Sequence, residues 1–233
     1  MYRPRHALPH RFAIPAAVAL VAMVAAGLAY ALAGRGEAPG PPEAAARTAV
    51  APAASVPAAS ERPSPLTRCG TQYDAQAPVL RTAARSIRQW QVHVDAMNQL
   101  VSGKITLAQA SRFWARTRIG AEQRVAAFRR AEDRYSQRSY DCPAPHARLA
   151  TSLHGCARAV SLRGRVDAVA RRAIDTWGMH IRDMERLRKG LITPQHATRM
   201  WIMSWHKGQR QIDAYRDALR RADLAERTGR CPS

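Results

Sequence analysis

Sliding the second half of the chain over the first by 87 residues brings Cys69 onto Cys156, Ile87 onto Ile174, Trp90 onto Trp177, His93 onto His180 and Met97 onto Met184. The register continues without a gap through Leu100/Leu187, Gly103/Gly190, Ile105/Ile192, Thr106/Thr193, Ala110/Ala197, Arg112/Arg199 and Trp114/Trp201, giving 11 identities in the 28 positions from Ile87 to Trp114. Several of the matches are Trp, His or Met, so a bias towards Ala and Arg does not account for them. The chain therefore carries a tandem duplication, and whatever one copy folds into, the other must fold into as well.

Each copy reads as an αα-hairpin. Trp90, His93, Met97 and Leu100 recur at helical spacing, as do Trp177, His180, Met184 and Leu187, so each set lies on one face of a helix. Gly103 and Gly190 stop these helices, since glycine takes the left-handed C′ conformation without a Cβ clash. Thr106 with Gln109 forms a T-x-x-Q capping box for the next helix, while Thr193 is followed by Pro194 at the first helical position. So short a turn sends the second helix back along the first. The returning helices carry Ala110, Trp114 and Thr117, or Ala197, Trp201 and Ser204, as inward stripes. Two hairpins with matching stripes bury them together, so the expected fold is all-α, a four-helix bundle with Trp90, Trp114, Trp177 and Trp201 as its repeated core.

The remaining sequence divides the chain. Residues 1–11 hold Arg3, Arg5 and Arg11, and Phe12 to Ala33 then run for 22 residues without a charge. At ~1.5 Å per residue that run spans a bilayer, and the basic residues before it put the N-terminus in the cytoplasm and the rest outside. A cleaved signal peptide is the rival reading, because Ala31-Leu32-Ala33 forms an A-x-A site; the run is longer than the ~7 to 15 residues of a signal core, which favours an uncleaved anchor. On either reading the domain is exported: single-pass at the membrane, or secreted if the signal is removed. Residues 34–65, rich in Ala, Pro, Gly, Ser and Thr, cannot bury enough apolar surface to fold and read as a spacer. Residues 66–145 and 146–233 are the two hairpin repeats.

All four cysteines fall in the repeats, Cys69 and Cys156 before the outgoing helices and Cys142 and Cys231 after the returning ones. They share the end of the bundle opposite the turns, and an even count outside the cytoplasm predicts two disulfides. Three pairings are possible, and the duplication favours Cys69 with Cys142 and Cys156 with Cys231. A four-thiolate zinc site would need C-x-x-C spacing, which is missing.

Two features bear on function. The first is the duplicated His-x-x-x-Met, His93 and Met97 with His180 and Met184, whose spacing sets imidazole and thioether on one face. That donor set suits copper, or a haem iron held by His and Met; equally, it fills a core seam with Met as the adaptable side chain. His196, Met200 and Met203 extend the pattern in the second repeat only. The second feature is charge: 37 basic against 17 acidic residues, net +20, of which +17 falls in the repeats. Outside a cell such a field draws anionic lipid, anionic wall polymer or an acidic protein; nucleic acid is not expected there and no binding motif for it is present. G-x-S-x-G, H-E-x-x-H, Walker A and G-x-G-x-x-G are all missing, and His154-Gly155-Cys156 offers a Cys/His pair only if Cys156 is free. The sequence thus predicts a non-enzymatic binding module on the outer side of a membrane, with a metal- or haem-binding bundle as the alternative.

Overall fold

The computed structural model describes residues 62–229 and Cys231. The basic N-terminus, the anchor helix expected over 12–33 and nearly all of the spacer lie outside the described residues. Within them the chain is all-helical, with five helices and no strands: α1 Pro65–Val101, α2 Leu107–Arg118, α3 Ala121–Ser136, α4 Thr151–Arg188 and α5 Pro194–Thr228. No described helix is long and apolar enough to cross a membrane.

α1 starts one residue inside the expected spacer, because Ser64 accepts a hydrogen bond from the Thr67 amide and Pro65 sits at the first helical position. The two hairpin turns form as their residues dictate. Gly103 and Gly190 take φ of 71° and 70°, which ends each outgoing helix. Thr106 and Gln109 close a reciprocal capping box, and Thr193 caps α5 by accepting from the His196 amide.

The expectation of one returning helix per repeat holds only for the second. In the first, the return is divided into α2 and α3 at Ile119 and Gly120, the latter with φ of 68°. Gly120 aligns with Lys207 in the unbroken α5, so the left-handed kink is open to one copy and closed to the other. The Ile119 carbonyl freed by the break accepts from the Gln89 side chain at 2.9 Å.

α1 and α4 form the central pair of the bundle, α2–α3 flank α1, and α5 flanks α4. The central pair is parallel and in register: Cys69 clusters with Cys156, Trp90 stacks on Trp177 and His93 meets His180, each pair separated by 87 positions. Along this seam Val79, Ala83, Ile87, Trp90 and Val94 face Val166, Ala170, Ile174, Trp177 and Ile181 in one buried cluster. Parallel pairing in register places the pseudo-twofold axis along the bundle. Asn98 joins the repeats at the turn end, its Oδ1 accepting from Trp205 Nε1 and Gln209 Nε2.

Both expected disulfides are present, Cys69–Cys142 and Cys156–Cys231, so no cysteine is free. They lie together with Leu66, Leu149 and Leu153 at the end opposite the turns. Cys156 is therefore no nucleophile for His154.

Candidate functional site

His93 on α1 and His180 on α4 face each other across the seam with their Nε2 atoms 3.1 Å apart. Each ring is fixed from behind by a hydroxyl of its own returning arm: His93 Nδ1 lies 2.9 Å from Thr117 Oγ1, and His180 Nδ1 lies 2.9 Å from Ser204 Oγ. Both hydroxyls are 24 positions beyond their histidine, so the duplication copied the pair of contacts as a unit. Each hydroxyl also bonds back into its helix, Thr117 to the Phe113 and Trp114 carbonyls and Ser204 to the Trp201 carbonyl. A hydroxyl has one proton to give. When it goes to the carbonyl, the imidazole must donate from Nδ1, and both Nε2 lone pairs are left bare and facing the seam.

Tryptophans enclose the pair. Trp90 and Trp177 stack with ring centroids 4.7 Å apart, Trp114 stands 6.1 Å from His93, and Trp201 stands 5.9 Å from His180. The Trp114 indole donates to the His93 carbonyl, whereas the indole N–H groups of Trp90, Trp177 and Trp201 find no partner among the described residues. Burial in this apolar box holds the His180 imidazolium pKa down to about 3, and burial followed by the charge of His180 keeps His93 well below the usual histidine range. Both rings are neutral at physiological pH.

Met97 and Met184 are half-buried one turn closer to the hairpin turns, and Met184 packs on the core. The string found in one repeat only is not a buried ligand set, since His196 and Met203 are exposed and Met200 is half-buried. Among the described residues, no three His, Cys, Asp or Glu side chains converge as a metal would require. Thr117 and Ser204 were legible as inward residues, yet nothing in the sequence tied them to the histidines; equal spacing from His93 and His180 was the available signal.

No protein-family model, curated protein or solved structure matches this chain.

The charge is arranged as unevenly as the aromatics. From Ala96 to Ala121 and from Arg186 to Ile212 there is no Asp or Glu. These stretches contain both turns and the first part of both returning arms. They present Lys104, Arg112, Arg116, Arg118, Arg186, Arg188, Lys189, Arg199, Lys207 and Arg210, all exposed. Arg186 pairs with Asp183, and Arg188 and Lys189 share Glu185. The other seven have no ion-pair partner among the described residues. Exposed Val101, Ile119, Leu191 and Met203 lie among them. Towards the disulfide end, by contrast, arginines tie helix to helix: Arg163 to Glu226, Arg171 to Glu132 and Arg129 to Asp175.

Proposed function

We propose that this chain is a membrane-anchored, extracytoplasmic bundle of two duplicated helical hairpins that binds an anionic surface or acidic partner through its turn half. The observation that carries this reading is the pair of repeat-related stretches, 96–121 and 186–212, that hold ten exposed basic residues and no carboxylate. A polyanion approaching this half meets a strong excess of positive charge, seven of the ten basic groups having no ion-pair partner among the described residues, and desolvates few existing ion pairs. The apolar side chains between the arginines add contact area once the surface is reached. The two disulfides support the compartment, since such bonds persist where the environment is oxidising. With the N-terminal residues of α1 at the disulfide end, the anchor and spacer would hold the bundle by that end and leave the turn half to project outward.

The test compares two charge-matched variants of the full-length chain in one detergent. In the first, Lys104, Arg112, Arg116, Arg199, Lys207 and Arg210 become Gln. In the second, Arg81, Arg85, Arg130, Arg134, Arg158 and Arg165 become Gln; these too are exposed and outside any ion pair among the described residues. Binding of a labelled polyglutamate is measured between about 50 and 200 mM salt, the range over which electrostatic binding changes most visibly. The first variant is expected to lose about tenfold or more and to flatten the salt dependence, the second far less. Equal losses, or binding by the parent chain that ignores salt, would defeat the reading.

A further inference from the structure

We infer that the His93–His180 pair, with Met97 and Met184 one helical turn away, is a buried site for a soft monovalent d10 cation, Cu(I), with Ag(I) as its laboratory surrogate. This goes beyond the proposed surface binding and does not depend on it.

The geometry argues for an ion in three ways. First, with the hydroxyl protons of Thr117 and Ser204 given to the helix carbonyls, both imidazoles donate from Nδ1, which is the outer-shell arrangement that orients metal-bound histidines. Second, the Nε2 atoms are 3.1 Å apart, while two nitrogens each ~2.0 Å from one tetrahedral ion lie roughly 3.3 Å apart. The ring centroids are 4.9 Å apart and the ring planes cross at 74°, closer than two rings meeting head-on through those nitrogens would allow. The rings are canted, as two ligands on one ion are. Third, the protons do not close the network. Five links need one proton each: hydroxyl to carbonyl at either end, hydroxyl to Nδ1 at either side, and Nε2 to Nε2 in the middle. The neutral pair and two hydroxyls supply four. An ion between the Nε2 atoms fills the missing link and displaces no proton.

The surroundings choose the kind of ion. Among the described residues no third His, Cys, Asp or Glu converges on the pair, and all four cysteines are consumed in disulfides, so zinc and the harder divalent metals lack donors there. The remaining donors within one turn are thioethers, which select Cu(I). Met97 and Met184, both half-buried, lie one turn from the pair towards the turn end. A porphyrin does not fit, because Trp90 and Trp177 occupy the seam beside the histidines in direct stacking contact.

The full-length chain, oxidised and in detergent, is titrated anaerobically with Cu(I) in competition with bicinchoninate. One equivalent is expected to bind, and X-ray absorption of the loaded protein should show two nitrogen scatterers with sulfur. Removing His93 and His180 together as Phe abolishes uptake, and Thr117→Val weakens it by about 10- to 100-fold. No competitive uptake, uptake that survives loss of both histidines, or an absorption spectrum without nitrogen ligands overturns the site. The spectrum is read on the parent chain, so it decides the matter even if the double variant does not fold.

Discussion

Two mid-helix glycines give a test in which local propensity and tertiary packing predict opposite signs. Replacing a glycine by alanine in a helix interior gains up to ~1 kcal/mol where the new methyl finds room. At Gly178 on α4 it does: a Cβ there would stand 3.5 Å from Val125 and 3.6 Å from Arg182, ordinary contact distances. At Gly208 on α5 it does not, since the Cβ would lie 2.5 Å from Trp90 Cζ2, 2.8 Å from Cε2 and 2.9 Å from Nε1. Trp90 is 1% exposed and backed by Trp177 at 4.7 Å, so the indole has no free direction in which to yield. Overpacking of this kind costs about 1–3 kcal/mol, and a rigid aromatic wall puts Gly208→Ala towards the upper end. After the propensity gain the net loss is about 1–2 kcal/mol, or roughly 2–8 °C in Tm for a domain of this size. Gly178→Ala moves the other way by up to ~1 kcal/mol. Thermal unfolding of both variants, followed by far-UV circular dichroism with tryptophan fluorescence as a second probe, separates them. If Gly208→Ala melts at or above the temperature of Gly178→Ala, the seam is not packed around Trp90 as described. A double variant with Trp90→Phe should recover part of the loss, because the two changes meet in one contact.

Losing either disulfide, as Cys142→Ser or Cys231→Ser with its partner also changed, removes a constraint spanning 73 or 75 residues and should cost about 4 kcal/mol in a denaturant titration. Alkylation without reductant should leave the mass unchanged. Because both buried histidines stay neutral when folded but charge at ~6.5 when unfolded, stability is full above that pH and falls as pH drops from about 6.5 towards 5, by up to ~1.4 kcal/mol per pH unit per histidine. Replacing both by Phe should flatten the profile; a slope that persists would place the titrating groups elsewhere. Thr117→Val and Ser204→Ala each leave a buried imidazole Nδ1 without its hydrogen-bond partner, and each should cost about 1–3 kcal/mol by chemical denaturation. Effects differing severalfold between the two would break the equivalence of the repeats.

What the sequence could specify was what depends on neighbours along the chain. Gly103, Gly190, Thr106 with Gln109, and Thr193 with Pro194 determine the turns by backbone chemistry within a few residues, and they form as expected. The cysteine pairing followed because a duplication limits which partners share an end. Gly120 was harder: one glycine in a helical pattern is usually tolerated, and only the alignment with Lys207 hints that the copies part there. The ligand-like face of His93 and His180 could be read from spacing. Their hydroxyl partners could not, because whether Thr117 or its neighbour reaches the ring depends on the rotation of the returning arm, which packing sets. Gly208 was invisible for the same reason, since its role belongs to an indole 118 positions away.

The break at Gly120 makes the two halves of the seam unequal in time as well as in shape. α2 is a segment of twelve residues, held on α1 by hydrogen bonds of Trp114 and Thr117 and separated from α3 by the kink at Gly120. Its counterpart in the second repeat is the first third of an unbroken 35-residue helix and is steadied by the rest of it. Amides of 107–118 should therefore exchange with solvent ahead of those of 194–205, and of the two histidines His93 should be the first to meet water.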